Sequence, residues 1–314
     1  MMMQVVRYEP SFQQTWDSFN SRSKNGLFIF SRKYMEYHAD RFNDHSLMIL
    51  DEKGKITCLL PASIRGNVLA SHDGLTFGGF VFCPKMTASR MLEILDTVKS
   101  YLSQNGVEKI IYKSIPSIFS KMPSEEDLYA LHINKSSILK REISCAIRFK
   151  ERIRFAKGKR EGIKKALRSS LFVEPSCDFK KFFDLGRQVM ESRHDLSPVH
   201  SSEEMSYLHS HFPEHIKLFA CMRDNVMLAG SIIYKYGETV HTQYMYNSDE
   251  GLRLGALDLV MSHIVEVYEH ECDFLSFGIS TVNDGRTMNH GLQRQKEMLG
   301  GRSVLHDTYS LSLE

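Results

Sequence analysis

The sequence predicts an α/β protein with mixed sheets, organised as two similar domains. Three observations carry that prediction. A length of 314 residues fits one large or two ordinary domains, and 42% hydrophobic with 25% charged residues is the composition of a globular chain. Strand-like and helix-like periodicities alternate along the whole length. The order hairpin, strand with loop, amphipathic helix, strand occurs twice, at an offset of roughly 165 residues, with little side-chain identity between the copies. The division is placed at 1–147 and 148–314.

In the first copy, Tyr8–Phe42 reads as two helical segments. Their aromatic stripes, Trp16 with Phe19 and then Tyr34, Tyr37, His38 and Phe42, read as core. Ser46–Leu50 and Lys55–Leu60 form a hairpin around Asp51-Glu52-Lys53-Gly54, and Val68–Phe82 follows with a Gly-rich run near Gly78. Thr87–Gln104 is a helix with Met91, Ile94, Leu95, Val98 and Leu102 on one face, stopped by Asn105-Gly106. Lys109–Lys113 is a strand.

Arg148 to Arg168 is the most charged stretch, opposed only by Glu151 and Glu161. It reads as a solvated helix face, a nucleic-acid surface or a site for a phosphate-bearing acceptor. Only Phe149 and Phe155 are interleaved, so base stacking is poorly supported. The net charge of +2 gives no global field for nucleic acid. Arg193–Ser201 is a polar, Pro-bent loop containing Asp195 and His200, and Ser201 with Glu204 has capping-box spacing.

The second copy begins with strands at Lys217–Met222, Met227–Tyr236 and Thr239–Tyr246, separated by Arg223-Asp224-Asn225 and Gly237-Glu238. Asn247–Ala256 is a Gly-containing loop running into a helix at Leu257–His270. Phe274–Phe277 is a strand, Met288–Leu299 a helix stopped by Gly300-Gly301, and Ser303–Leu313 a last strand closing this set. A strand, a Gly-bearing loop and a helix N-terminus make an anion site, with Arg253 as cation and Gly255-Ala256 too small to block the backbone. The plain alternative is an ordinary strand–turn–helix joint.

The Arg253-Leu254-Gly255-Ala256 segment resembles the pyrophosphate loop, Arg/Gln-x-x-Gly-x-Gly/Ala, of the GNAT acyl-CoA N-acyltransferases, with the Gly/Ala pair compressed. Asn289, Leu292, Lys296 and Gly300 stand where that family has Asn-x-x-Ala-x-x-x-Tyr-x-x-x-Gly. The Tyr credited with protonating the leaving thiolate is Lys296 here. Gly291, Leu292, Lys296, Gly300 and Gly301 look more like the Fem-type branch, which pairs two GNAT-like domains and includes aminoacyl transferases of cell-wall synthesis.

The resemblance implies tandem GNAT-like domains, the second binding acetyl-CoA or another acyl-CoA through Met245, Tyr246, Arg253, Leu254, Gly255, Ala256, Asn289 and Lys296. The first copy, with Cys83-Pro84-Lys85-Met86 at the corresponding loop, would shape the acceptor side. The implied activity is N-acylation of a small-molecule amine, such as an amino sugar or sugar-nucleotide. Transfer from aminoacyl-tRNA to a cell-wall precursor and a non-catalytic binding module are the alternatives.

Acyl transfer needs a base near neutrality, which points to His241 on the strand before the loop, then His200. Tyr244 joins them on the His241 strand, and Asp195 and Glu297 rank lower. Amides of Thr242–Tyr246 would polarise the carbonyl. The six scattered cysteines predict reduced, mostly buried thiols in a cytoplasmic protein, with neither zinc nor disulfides. Neither a signal-peptide core nor a membrane span is read from the sequence. No nucleophile elbow, full Walker loop or His-Glu-x-x-His spacing occurs.

Overall fold

The computed structural model describes residues 3–193 and 200–313. The chain divides into two compact units. One comprises Met1–Ile143, Thr281–Thr287 and Leu305–Glu314, the other Ser144–Ser280 and Met288–Val304.

In the first unit an antiparallel sheet runs in the order Gln4–Arg7, Leu47–Leu50, Ile56–Leu60, Val81–Phe82. A second run joins Ser63–Arg65, Val68–Ala70, Lys109–Lys113 and the end of the strand Arg302–Ser312. Val68–Ala70 and Lys109–Lys113 are parallel, so their connection must cross over. The helix Ala88–Gln104 lies in that crossover. Thr87 caps it by accepting from the Arg90 amide at 3.3 Å, and Met91, Ile94, Leu95, Val98 and Leu102 are all buried. The predicted pair of helices over Tyr8–Phe42 is instead one helix, Gln13–Arg22, followed by short turns, Phe28–Phe30, Arg32–Met35 and Glu36–His38. Asp17 ties down the start of Arg32–Met35 by accepting from the Arg32 amide at 2.8 Å.

The final strand was expected to close the second copy. Thr308 to Ser312 instead pair antiparallel with Lys113 to Lys109, in the first unit. Such a pairing between segments about two-thirds of the chain apart leaves no local trace in the sequence.

The second unit carries strands in the order Ser137–Arg148 (by its Ser144–Arg148 end), Phe274–Ile279, Thr239–Asn247, Val226–Tyr236, Ile216–Arg223, Phe172–Ser176. Asp224 and Asn225, at φ +48° and +62°, make the two-residue turn between Arg223 and Val226. Two residues with positive φ suit the twist of a tight hairpin, and Asx side chains tolerate that region. Gly237 (φ +57°) opens the next turn. One face of this sheet packs Phe219, Ile233, Val240 and Met245 with Leu259, Val260, Ile264 and Tyr268 of the helix Ala256–Tyr268. Phe179–Arg193 and Ser202–His211 also pack on this sheet, with the Ser201–Glu204 capping box formed as read. All six cysteines are free thiols, four of them buried. Among the described residues no helix is long and apolar enough to cross a membrane, and no group of three metal-ligating side chains occurs.

Candidate active site

The strand Thr239–Asn247 pairs antiparallel with Val226–Tyr236 on one side and parallel with Phe274–Ile279 on the other. The antiparallel register shifts between Ile232 and Ile233, which face Tyr244 and Thr242, so Gln243 is an extra residue. A bulge of this kind reverses which face later side chains occupy. Tyr234 opposes His241, Ile232 opposes Tyr244 and Gly230 opposes Tyr246. Directly opposed residues share a face, so His241, Tyr244 and Tyr246 lie together. In a regular strand His241 and Tyr244, three positions apart, would point to opposite sides. Met245 falls on the other face, in the core.

On the parallel side the ladder stops at His241–Ser276. Beyond it the edge of Thr242–Tyr246 turned away from Val226–Tyr236 has no strand partner among the described residues. Backbone groups along such an edge are fixed in direction and available to a ligand.

Three side chains meet on the bulged face. His200 Nδ1 lies 2.6 Å from the Tyr244 hydroxyl. Burial pushes the Tyr244 phenol up to about 12, so it stays neutral and able to donate. The Tyr246 ring stacks on Tyr244 (centroids 6.3 Å, 25° between planes) and lies against Phe182 at 4.8 Å. Gly186 makes room for it, since a Cβ there would sit 2.4 Å from the Tyr246 ring. The Tyr246 hydroxyl is buried and meets no hydrogen-bond partner among the described residues. A buried polar atom without a partner costs about 1–3 kcal/mol unless something binds it. Removing the Tyr244 hydroxyl strips a buried contact from His200, so Tyr244→Phe is expected to lose about 1–2 kcal/mol in urea unfolding at an unchanged m-value.

His241 is buried, with Nδ1 3.1 Å from Ser276 Oγ. Gly278 (φ +71°) passes its Cε1–Nε2 edge. A side chain there would begin 3.4 Å from Cε1, in van der Waals contact with the ring. Lys296 holds the same turn of chain. Its ammonium donates to the carbonyls of Gly278 (2.9 Å) and Ile279 (2.5 Å) and to Ser280 Oγ (2.8 Å). Those contacts use all three of its N–H groups inside the fold. Burial lowers its pKa to about 8. Asn289 caps the helix His290–Met298, accepting from the Leu292 amide at 3.0 Å, and its own amide donates to Ser280 O at 2.8 Å. Lys296 and Asn289 therefore brace the strand end beside His241, and Glu297 accepts from Gln293 at 2.9 Å.

The Arg253–Ala256 segment is built differently from an open loop. Ser248 caps a short helix, Asp249–Leu254, and Gly255 in the left-handed region (φ +80°) joins it to Ala256–Tyr268. The Gly255 amide donates to Gly251 O. On its other side Gly255 is pressed against Gly162, where a Cβ would lie 2.4 Å from the Gly162 carbonyl oxygen. Gly162 belongs to the basic helix Lys157–Arg168, whose Lys159 pairs with Asp258 at 2.7 Å, in the first turn of the following helix. A carboxylate already stands at that N-terminus. Ala256 is fully buried, Leu254 half-buried against the core, and Arg253 exposed.

His200 and the two tyrosines thus form one cluster, and His241, Lys296 and Asn289 form a second through the Ser276–Ser280 backbone. Arg253–Ala256 stands apart on the helix Lys157–Arg168. Asp195 lies outside the described residues. Sequence reasoning missed Ser276, Gly278, Ser280, Gly186 and Gly162. Glycines inside helical or charged runs were the available signal.

No family model and no curated protein sequence matches the chain. Solved structures match its shape. FemX superposes with a TM-score of 0.71 at 12% identity, over 98% of this chain and 97% of that one. L-PGS from Bacillus licheniformis gives 0.62 at 13%, over 97% and 92%. A tandem GNAT protein from the clavulanic acid biosynthesis pathway gives 0.53 at 8%, over 99% of each. The chain has the Fem-like, tandem GNAT fold. At these identities the likeness concerns fold, and chemistry must be argued from the site.

Proposed function

We propose that this chain is an N-acyltransferase that moves an acetyl or other acyl group from acyl-CoA to an amine on a small molecule, an amino sugar or sugar-nucleotide being the class favoured. The supporting observation is the parted strand pair. The free edge of Thr242–Tyr246 offers fixed backbone donors to a carbonyl oxygen, beside the His241 imidazole and the unsatisfied Tyr246 phenol. In this reading the amine attacks the acyl carbon and edge amides hold the oxyanion. His241, oriented by Ser276, takes the ammonium proton and returns it to the thiolate as that departs. Tyr244, kept neutral and tied to His200, positions the acceptor. Cytoplasmic residence belongs to the same proposal.

The second reading, an aminoacyl-tRNA donor, is favoured by one observation. The Gly255 joint is covered by the helix Lys157–Arg168, whose Lys157, Lys164, Lys165 and Arg168 are exposed, as is Arg253. A diphosphate or an RNA backbone would both find cations there.

Calorimetry with acetyl-CoA and free CoA tests the first reading. Micromolar binding weakened about 10–100-fold by Arg253→Glu is expected, the size of one lost charge-assisted phosphate contact. Absence of binding to either ligand by the folded protein overturns acyl-CoA as donor. Salt-steep binding of charged tRNA instead would establish the second reading.

A further inference from the structure

Three strands away from His241, at the Phe172–Ser176 edge of the second unit's sheet, a thiol and an imidazole face each other. Cys177 is exposed, and its Sγ lies 3.6 Å from His209 Nε2. His209 Nδ1 lies 2.7 Å from the Ile216 carbonyl oxygen. A carbonyl only accepts, so Nδ1 carries a hydrogen, and Nε2 is the ring nitrogen turned toward the thiol. Phe179 packs on the imidazole with centroids 5.3 Å apart. Nucleophile, base and a third group that orients the base are all present.

The pair opens on a cavity of about 420 Å³, lined also by Lys217, Phe219, His263 and Tyr268. Tyr268 is 2% exposed, and its hydroxyl is buried without a hydrogen-bond partner among the described residues. A mostly apolar wall with one cation and one unsatisfied phenol is the lining of a small-ligand site.

We propose that Cys177 and His209 form a thiol–disulfide exchange site for a small anionic disulfide. His209 takes the proton from Cys177, and the thiolate attacks one sulfur of the disulfide. A Cys177–S bond forms as the ligand's S–S bond breaks, and the departing thiolate collects the proton from His209. The disulfide is the oxidant, one small thiol is released, and the protein is left as a mixed disulfide. Lys217 holds the anionic group.

The test uses the full chain with an anionic aromatic disulfide and with glutathione disulfide, mapping each cysteine by peptide mass spectrometry over time. Cys83, the other cysteine that is not buried, is the internal reference. Cys177 is expected to react at least about tenfold faster than Cys83 at pH 7, an advantage lost in denaturant. His209→Gln is expected to slow Cys177 about tenfold and leave Cys83 unchanged. Lys217→Glu is expected to slow the anionic disulfide but not neutral iodoacetamide, which needs no folded partner variant to interpret. Equal rates for Cys177 and Cys83 in the native wild type, or indifference of Cys177 to His209→Gln in a folded protein, would overturn the exchange site. Equal sensitivity of both reagents to Lys217→Glu would overturn the anionic ligand.

Discussion

Gly255→Ala is expected to lower stability by about 2–5 kcal/mol, read as a shift of the urea midpoint at constant m. Two independent costs add. Gly255 sits at φ +80°, where a residue bearing a Cβ is strained by about 1–2 kcal/mol. Its new Cβ would also lie 2.4, 2.6 and 2.8 Å from the oxygen, carbon and Cα of Gly162. These are backbone atoms of a neighbouring helix, and overpacking against atoms that cannot rotate away costs about 1–3 kcal/mol. Gly162 cannot easily yield either, because it is itself confined by Asp258, whose carboxylate its own Cβ would meet at 2.4 Å. Gly237→Ala is the control. It shares the positive φ but has nothing within 4 Å, so it should cost the strain alone. Equal losses for the two variants would mean that Gly255 is not held against the basic helix, and the anion loop read from the sequence would regain its case.

That contrast marks where sequence reasoning reached its limit. Periodicity found the helix Ala88–Gln104, the strand Lys109–Lys113 and the second unit's hairpins, because each follows from which residues must be buried locally. The strand that carries His241 was also legible. The parity of that strand was not, because the extra residue at Gln243 carries no glycine or proline to mark it. Only the register against Ile232 and Ile233 shows that His241 and Tyr244 share a face. Gly162 was hidden inside Lys-Gly-Lys-Arg-Glu-Gly, where charge dominated the reading and helix-to-helix proximity had no signature. The sequence places Lys296 among the acyl-CoA ligands because its acceptors lie 16–18 residues earlier and only the folded turn brings them to it.

Lys296→Met should therefore act on stability, with a dependence on pH that a surface lysine would lack. Methionine keeps most of the apolar stem but leaves the Gly278 and Ile279 carbonyls and the Ser280 hydroxyl without their donor, a loss of about 2–4 kcal/mol near neutral pH. The wild-type ammonium is itself held at a cost, since burial lowers its pKa from 10.5 to about 8. A base whose folded pKa is depressed binds fewer protons folded than unfolded between those two values. Wild-type stability therefore gains with pH across that window from this group, while below about pH 8 its burial cost is fully present. The variant lacks the group and lacks that slope. Subtracting its urea-unfolding free energies from those of the wild type, point by point from pH 7 to 10, isolates the contribution and removes tyrosine titrations common to both proteins. A difference that widens as pH rises places Lys296 as a buried strut beneath the His241 strand. A flat difference of a few tenths of a kcal/mol would return it to the surface and to the list of phosphate ligands.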